Sequence, residues 1–156
     1  MKDIKFLILD VDGTLTDGGI YLSDEGEQFK KFNAKDGMGI RKAISKGIEV
    51  GIISHSYSRK MIDDRANMLG LKYVYVGEKP KIQVVDQWLS ELGLSRDEVA
   101  YMGDDINDLE VMKLVGFAAC PADSSEEVLK ISQKVMKKKG GAGAVREFID
   151  EHLLKN

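Results

Sequence analysis

Two carboxylates near the start of the chain are spaced so that they would act together. Asp10 and Asp12 follow a largely apolar run that begins at Ile4, and only Val11 separates them. Side chains two positions apart on a strand point to the same side, so this pair concentrates negative charge at one strand end. Two like charges at a buried strand end are unfavourable unless a cation or a shared proton offsets them. The spacing therefore indicates either a chemical site or a strained polar turn.

Polar residues also stand at the ends of three later apolar runs. Ser54 ends the second run, Lys81 follows the third, and Asp104, Asp105 and Asp108 follow the fourth. Carboxylates from two strand ends make a hard oxygen site that suits magnesium, which keeps some waters and also takes phosphate oxygens. A lysine and a hydroxyl at the same edge would hold the remaining phosphate oxygens. The pattern predicts phosphoryl transfer, with one carboxylate as nucleophile and another as general acid and base.

The elements that position these residues alternate between apolar strands and amphipathic helices. Helical stripes end at Gly70, Gly93 and Gly116, the spacing of Ser124–Glu127 predicts a capping box, and a last helix begins near Ala144. This alternation predicts a single α/β domain over 1–156, with a three-layer, Rossmann-like parallel sheet whose strand ends meet at one edge. The predicted strands are Ile4–Asp10, Glu49–Ser54, Lys72–Gly77, Glu98–Asp104 and Gly116–Pro121.

Composition excludes several classes of protein. The 156 residues are 43% hydrophobic and 31% charged, with a net charge of −3 and no extended basic block, so we expect no nucleic-acid partner. No apolar run approaches the roughly 20 residues that cross a bilayer, so we expect no membrane partner. The lone Cys120 has no internal disulfide partner, which favours a cytoplasmic location. Ile20–Phe32 breaks the alternation and is predicted to form a β-hairpin flap.

The ordered motifs resemble those of a known family. "DVDGTLTD" from Asp10, Ser54, Lys81 and "GDDIND" from Gly103 are similar, in this order, to the four signature motifs of the haloacid dehalogenase-like (HAD) phosphatases. The resemblance covers nearly the whole chain. "KFNAKDGMGIRKA" from Lys31 and "GGAGAVREF" from Gly140 are similar to the uncapped branch that contains the 3-deoxy-D-manno-octulosonate 8-phosphate (KDO 8-phosphate) phosphatases. It implies a HAD-like fold with no cap domain and a C-terminal glycine-rich segment and helix over 140–156.

The resemblance implies a catalytic role for each motif carboxylate. Asp10 would attack phosphorus and form an aspartyl-phosphate, while Asp12 would act as acid and base. Mg²⁺ would be held by Asp10, the backbone carbonyl of Asp12 and Asp104, with Asp105 or Asp108 orienting these ligands. From the residues alone, Asp108 also reads as an ordinary first-turn helix acid.

The resemblance also implies how substrate is bound. Ser54 and Lys81 would hold the phosphoryl group, although Ser54 alone also reads as a helix N-cap and Lys81 as an exposed helix lysine. Arginine suits the carboxylate of a sugar acid, but Arg41 and Arg65 also read as plain surface residues. Gly140–Gly143 would be mobile and help to close the pocket. The sugar pocket would be lined by Asp12, Asn33, Ala34, Lys35, Asp36, Gly37, Arg41, Arg65 and Lys81.

One loop departs from the family pattern. The family has Thr or Ser, then Gly, often followed by Arg, whereas this chain has Ser54-His55-Ser56, and Arg59 is the nearest substitute for that arginine. The leading hypothesis is a Mg²⁺-dependent phosphatase of KDO 8-phosphate that forms a homotetramer. The loop leaves open an N-acylneuraminate or related nonulosonate 9-phosphate as the substrate. A non-catalytic tetramerising module of sialic-acid activation is the other alternative.

Overall fold

The computed structural model describes residues 3–155 and places a parallel sheet at the centre of the chain. Within these residues, the main sheet has six strands, and every neighbouring pair is parallel. The α/β fold with a parallel sheet that the sequence predicts is therefore confirmed. In order across the sheet, the strands are β5 (Tyr73–Val76), β4 (Glu49–Ser54), β1 (Phe6–Leu9), β6 (Val99–Met102), β7 (Phe117–Cys120) and β8 (Lys134–Val135).

Helices cover both faces of this sheet. The first, second and sixth helices pack on one face, and the other three pack on the opposite face, each group enclosing its own hydrophobic core. The helices are α1 (Ala34–Ser45), α2 (Arg59–Leu69), α3 (Lys81–Leu92), α4 (Leu109–Leu114), α5 (Glu126–Ile131) and α6 (Ala144–Phe148), the last continuing as a wider turn over Ile149–Leu153. None of the helices in residues 3–155 combines the length and apolar character needed to cross a bilayer.

Strand β1 shows why the apolar runs are continuous rather than alternating. Leu7 and Leu9 point into one core, while Phe6 and Ile8 point into the other, and all four side chains are fully buried. A parallel strand with helices on both faces has no solvent side, so every position favours an apolar residue. The first carboxylate, Asp10, therefore marks the point at which the strand leaves the core.

The hairpin stands apart from the main sheet. Its strands β2 (Tyr21–Leu22) and β3 (Gln28–Phe29) pair antiparallel, and a bridge between Thr16 and Phe32 closes its base. The turn between the strands contains Gly26 at φ 81°, a conformation that favours glycine. The predicted hairpin over Ile20–Phe32 is present, with paired strands shorter than the predicted range.

Three details differ from the sequence predictions. No strand was predicted at β8, which is an exposed two-residue edge with no apolar run. Helix α1 was not predicted from an apolar stripe, because glycines occupy the face of the helix that packs on the protein. A Cβ at Gly37 would lie 2.5 Å from an Arg65 nitrogen. The predicted capping box does not form, because α5 has Ser125 as its N-cap and the Ser124 hydroxyl donates to the carbonyl of Pro121.

Candidate active site

The carboxyl ends of the central strands surround one cavity. Asp10 follows β1, Ser54 ends β4 and Asp104 follows β6, while Lys81 is the first residue of α3. The sequence signals therefore gather at the edge predicted for a parallel sheet. The cavity has a volume of about 230 Å³ and is lined by Asp10, Asp12, Ser54, His55, Ser56, Asp104, Asp105 and Asn107.

The turn after β1 brings the first and last motifs together. Gly13 has φ 85°, and a Cβ added there would lie 1.9 Å from a carboxylate oxygen of Asp104. Only glycine therefore fits here without displacing the Asp104 carboxylate. The neighbouring Thr14 hydroxyl donates to Asp104 Oδ1 at 3.4 Å. The "DGT" turn thus places Asp10 and Asp104, which are far apart in the chain, side by side.

Lys81 links two of the carboxylates beside the cavity. Its side chain is 1% exposed, and Nζ donates to Asp10 Oδ1 at 2.8 Å and to Asp108 Oδ1 at 2.7 Å. Burial opposes the charge of the ammonium, but the attraction of the two carboxylates outweighs it and the pKa of Lys81 is raised. The plain reading of this residue as an exposed helix lysine is wrong. A fixed cation lies directly beside the predicted nucleophile.

Asp108 is fully buried and bonded through both oxygens. Oδ1 accepts from Lys81 and from the Tyr101 hydroxyl at 2.6 Å, and Oδ2 accepts the backbone N–H groups of Asp104 at 3.0 Å and Asp105 at 3.3 Å. It therefore bonds the start of its own helical turn, as a first-turn acid does, and also holds the lysine. Tyr101 was not predicted, although a phenol inside an otherwise apolar strand is a signal for a buried hydrogen bond.

The acidic cluster has the composition of a cation site. Oxygens of Asp10, Asp104 and Asp108 lie within 4.8 Å of one another. Burial and the neighbouring Asp108 raise the pKa of Asp10 well above its usual range, and burial raises the pKa of Asp104 to about 6. Because Asp108 is already bonded by Lys81 and Tyr101, Asp10 and Asp104 are the better ligands for a divalent ion. The residues fit Mg²⁺, which prefers carboxylate oxygens and relieves such repulsion.

Asp12 lies at the open side of the cavity, away from this buried cluster. Its side chain is 46% exposed, and its Oδ1 accepts a hydrogen bond from Lys30 Nζ at 2.5 Å. Lys30 was not predicted as a site residue. The usable signal is the alternation along the hairpin strand, because Gln28, Lys30 and Phe32 share one side and Phe32 packs on the core.

The loop after β4 is shaped by serines and a histidine. Ser54 is buried and its Oγ accepts the N–H of Ser56 at 3.0 Å, while Ser58 is the N-cap of α2, so reading Ser54 as the helix N-cap is wrong. His55 Nε2 lies 2.8 Å from the carbonyl oxygen of Lys79, which only accepts, so this nitrogen is the donor. Arg59 pairs with Asp63 on its own helix and does not replace the family's loop arginine.

The first turn of α1 does not line the cavity around Asp10. Asn33 caps the helix by accepting the N–H groups of Lys35 and Asp36, and its amide donates to the carbonyl of Gly141 at 3.2 Å. Asp36 is 1% exposed and accepts the N–H of Arg146 at 2.9 Å. Burial raises the pKa of Asp36, and its Oδ2 has no hydrogen-bond partner. Asp36 therefore anchors the C-terminal helix instead of presenting a carboxylate to a sugar.

The two candidate arginines occupy different environments. Arg65 lies over the Phe32 ring at 5.6 Å and lines a second cavity of about 330 Å³ together with Lys30. Its approach to α1 requires the glycine at Gly37, whereas Ala34 and Lys35 are exposed at the start of that helix. Arg41 is exposed and donates to the carbonyl of Met68 at 2.6 Å, at the end of α2. Only Arg65 therefore lies beside a cavity that adjoins the site.

The glycine-rich segment is docked within its own chain. The N–H of Gly141 donates to the carbonyl of Thr14 at 3.2 Å, and a Cβ at Gly140 would lie 1.8 Å from the carbonyl oxygen of Gly13. Gly140–Gly143 are expected from the resemblance to be a mobile closing segment, whereas in the structure these glycines allow the backbone to pack directly against the turn after β1. They therefore support the turn after β1 through backbone contacts to Gly13 and Thr14.

Comparison with known proteins agrees with the motifs and the fold. Residues 74–149 match the family model for haloacid dehalogenase-like hydrolases. The chain is 42% identical over 152 residues to KDO 8-phosphate phosphatase from Yersinia pestis, covering 97% of this chain and 81% of that protein. The KDO 8-phosphate phosphatase of Moraxella catarrhalis, solved with a magnesium ion, phosphate and KDO, superposes with a TM-score of 0.91 at 35% identity, over 96% of this chain and 85% of that one.

A cobalt-bound KDO 8-phosphate phosphatase from Haemophilus influenzae has a TM-score of 0.89 at 34% identity, over 95% of this chain and 86% of that one. Two relatives of this fold thus bind a divalent cation. Together with the ordered motifs around Asp10, Ser54, Lys81 and Asp104, these similarities establish that the chain belongs to the haloacid dehalogenase-like hydrolases, in the KDO 8-phosphate phosphatase family.

Proposed function

We propose that this protein is a Mg²⁺-dependent phosphatase that hydrolyses the phosphate ester of a 3-deoxy-ulosonic acid, with KDO 8-phosphate as its substrate. The observation that carries the proposal is the convergence of Asp10, Asp104 and Asp108 around the buried ammonium of Lys81. Four charged groups in one buried cluster are costly to fold, which argues for a chemical use.

The arrangement supports a two-step transfer through Asp10. Its Oδ2, which is not bonded to Lys81, would form a bond to phosphorus while the bond from phosphorus to the sugar oxygen breaks. Asp12 would give its proton to that leaving oxygen. It would then take a proton from a water that attacks phosphorus, which releases inorganic phosphate and regenerates Asp10.

The remaining groups would bind and neutralise the phosphoryl oxygens. Lys81 is fixed by two carboxylates beside the cavity, and Ser54, His55 and Ser56 are among the residues that line it. Mg²⁺ bound by Asp10, Asp104 and the Asp12 carbonyl would offset the negative charge that develops on the transferring group. Asp108 would orient Asp104 and Lys81 without joining the metal, since its oxygens are already bonded.

The substrate assignment depends on the relatives together with the charge of the outer cavity. Proteins 35–42% identical to this chain are named as KDO 8-phosphate phosphatases. Arg65 lines the second cavity, and its guanidinium suits the carboxylate of a sugar acid. The Ser54-His55-Ser56 loop keeps a nonulosonate 9-phosphate as the rival substrate. A non-catalytic role is disfavoured, because every motif carboxylate is present and in place.

Phosphate release tests the proposal directly. The purified protein is assayed with KDO 8-phosphate and a nonulosonate 9-phosphate, with Mg²⁺ or with EDTA, and Asp10→Asn is compared with Asp24→Asn on the exposed hairpin turn. We expect turnover of KDO 8-phosphate only with Mg²⁺, below a few per cent of wild type for Asp10→Asn and unchanged for Asp24→Asn. Preference for the nonulosonate ester would correct the substrate, and substantial activity of Asp10→Asn would exclude the covalent mechanism.

We also propose that the protein is a homotetramer in which hairpins of neighbouring copies pack together. The support is the apolar surface of the hairpin, where Ile20 is 80%, Leu22 63% and Phe29 52% exposed. Several large apolar side chains exposed on so short an element favour association. Light scattering of wild type and of an Ile20→Ser/Leu22→Ser variant would test it. We expect a tetramer for wild type and smaller species for the variant, and a wild-type monomer would exclude the proposal.

A further inference from the structure

The contact between Lys30 and Asp12 joins two parts of the molecule that the motifs treat separately. Asp12 belongs to the turn after β1, whereas Lys30 directly follows hairpin strand β3. Their charged atoms lie 2.5 Å apart. Two further side-chain hydrogen bonds link the hairpin strands to other parts of residues 3–155, from the Tyr21 hydroxyl to Asp17 and from the Ser58 hydroxyl to the Gln28 amide oxygen, but neither reaches a motif carboxylate. Lys30 is therefore the charged attachment of the hairpin to the site.

The burial of this pair is uneven, and that separates it from an ordinary surface ion pair. The side chain of Lys30 is 10% exposed, while that of Asp12 is 46% exposed. A solvated lysine gains little from an ion pair and usually stays mobile. Here the Lys30 side chain is largely buried, so its ammonium reaches Asp12 but has little freedom to leave. The hairpin thus fixes the position of the Asp12 carboxylate.

Lys30 also lies between the two outer cavities. It lines the cavity of about 310 Å³ under the hairpin, with Gly19, Phe29 and Tyr57, and it lines the cavity beside Arg65 and Met68. Asp12 lines both the cavity around Asp10 and the cavity under the hairpin, so a substrate with its phosphate at Asp10 would have its leaving oxygen near Asp12. A small displacement of Asp12 would therefore lengthen the path of the proton to that oxygen.

We propose that Lys30 is a positioning residue that holds the Asp12 carboxyl group at the leaving oxygen, so that the hairpin sets the efficiency of proton transfer. This inference rests on the proposed function, in which Asp12 protonates the departing sugar oxygen. Lys30 touches Asp12 and does not itself react. General acid catalysis typically contributes about 10²–10⁴-fold, and a misplaced acid loses part of that gain.

The test compares a leaving group that needs a proton with one that does not. An alkyl phosphate such as KDO 8-phosphate releases a strongly basic alkoxide unless it is protonated, whereas p-nitrophenyl phosphate releases a stable phenolate. Wild type is compared with Lys30→Met, Lys30→Arg and Lys31→Met, an exposed neighbour on the same segment. Lys30→Gln, which keeps a donor, is the second variant if Lys30→Met does not fold.

We expect Lys30→Met to lower kcat for the alkyl ester about tenfold and for the aryl ester less than about threefold. Lys30→Arg should recover most of the loss, and Lys31→Met should match wild type. In an Asp12→Asn background, Lys30→Met should change kcat by less than about twofold, because its target is gone.

Equal losses on both esters, no loss on either, or an equal effect of Lys31→Met would overturn the assignment of Lys30 while leaving the phosphatase intact. A wild-type protein that hydrolyses neither ester would instead overturn the proposed function itself.

Discussion

The site has two ends that differ in burial and in hydrogen bonding. At the inner end, Lys81 and Asp108 are almost fully buried, and each is bonded to several fixed partners, among them Asp10 and Tyr101. At the outer end, Asp12 is 46% exposed and meets one lysine from the hairpin. The inner end is therefore a buried network of charged groups, whereas the outer end is a partly exposed surface with a single ion pair. Binding a phosphoryl group requires fixed charges, which the inner end provides. Accommodating the leaving group requires the more open surface of the outer end.

This contrast predicts that equivalent lysine substitutions at the two ends have very different effects on stability. Lys81→Met leaves Asp10 and Asp108 buried without their cation, and breaking such a pair typically costs about 3–5 kcal/mol. Lys30→Met keeps an apolar side chain at the buried position and leaves Asp12, which is 46% exposed, accessible to water, so it should cost about 1 kcal/mol or less. Urea unfolding at pH 7.5 measures both free energies of unfolding. Similar losses for the two variants would show that the ends are not energetically distinct.

The arginines sharpen the comparison at the outer end. Arg65 lines the cavity beside Lys30, whereas Arg41 bonds a backbone carbonyl at the surface. A charged hydrogen bond is worth roughly 1.5–3 kcal/mol, so Arg65→Ala should lower kcat/KM for the sugar acid phosphate about ten- to a hundredfold. Arg41→Ala should lower it less than about threefold.

The same variants on p-nitrophenyl phosphate provide the control, because this small ester does not reach Arg65. Equal losses on both esters would mean that Arg65 is structural and that the outer cavity does not hold the carboxylate.

The inner end should also respond to pH and Mg²⁺. Without a cation, the folded protein holds the Asp104 proton more tightly than the unfolded chain, because burial raises its pKa from 3.8 to about 6. This contribution to stability is present at low pH and is lost as the pH rises from about 4 to 6. Mg²⁺ binds the ionised carboxylates, so at ten times its Kd it should add about 1.4 kcal/mol at pH 7.5 and much less at pH 5.

Thermal unfolding with Mg²⁺ or EDTA at the two pH values measures this linkage, and Asp104→Asn should abolish it. A cation effect that is the same at pH 5 and pH 7.5 would place the metal away from Asp10 and Asp104.

The smallest expected effect concerns the unusual loop. His55 joins the loop after β4 to the carbonyl of Lys79, two residues before Lys81. A neutral, partly exposed hydrogen bond contributes about 0.5–1.5 kcal/mol, and the buried carboxylates hold Lys81 independently. His55→Ala should therefore lower kcat/KM about two- to fivefold, while His152→Ala near the C-terminus leaves it unchanged. A loss above about a hundredfold would make His55 part of the inner end.

Sequence patterns were most informative where the chain obeys the geometry of a parallel sheet. Apolar runs at the positions of β1, β4 and β6 are buried on both faces, and the polar residues that end them must meet at one edge. This reasoning predicted the fold and the cluster of Asp10, Ser54, Lys81 and Asp104. It did not extend to Asp36, which motif similarity assigned to the sugar pocket and whose carboxylate accepts a backbone N–H of α6 in the structure.

The sequence alone determined which apolar strands form the centre of the sheet, which edge carries the chemistry and which motif charges meet there, because these follow from local periodicity and the direction of parallel strands. Tertiary structure decided the contacts that depend on how loops and helix ends pack: Lys30 with Asp12, Tyr101 with Asp108, and Gly140 against Gly13. Local sequence can mark Lys30 and Tyr101 as unusual positions but does not identify their partners, since each contact joins segments whose separation is set by the whole fold. The burial that makes Lys81 a fixed cation likewise exists only after the helices close over the sheet.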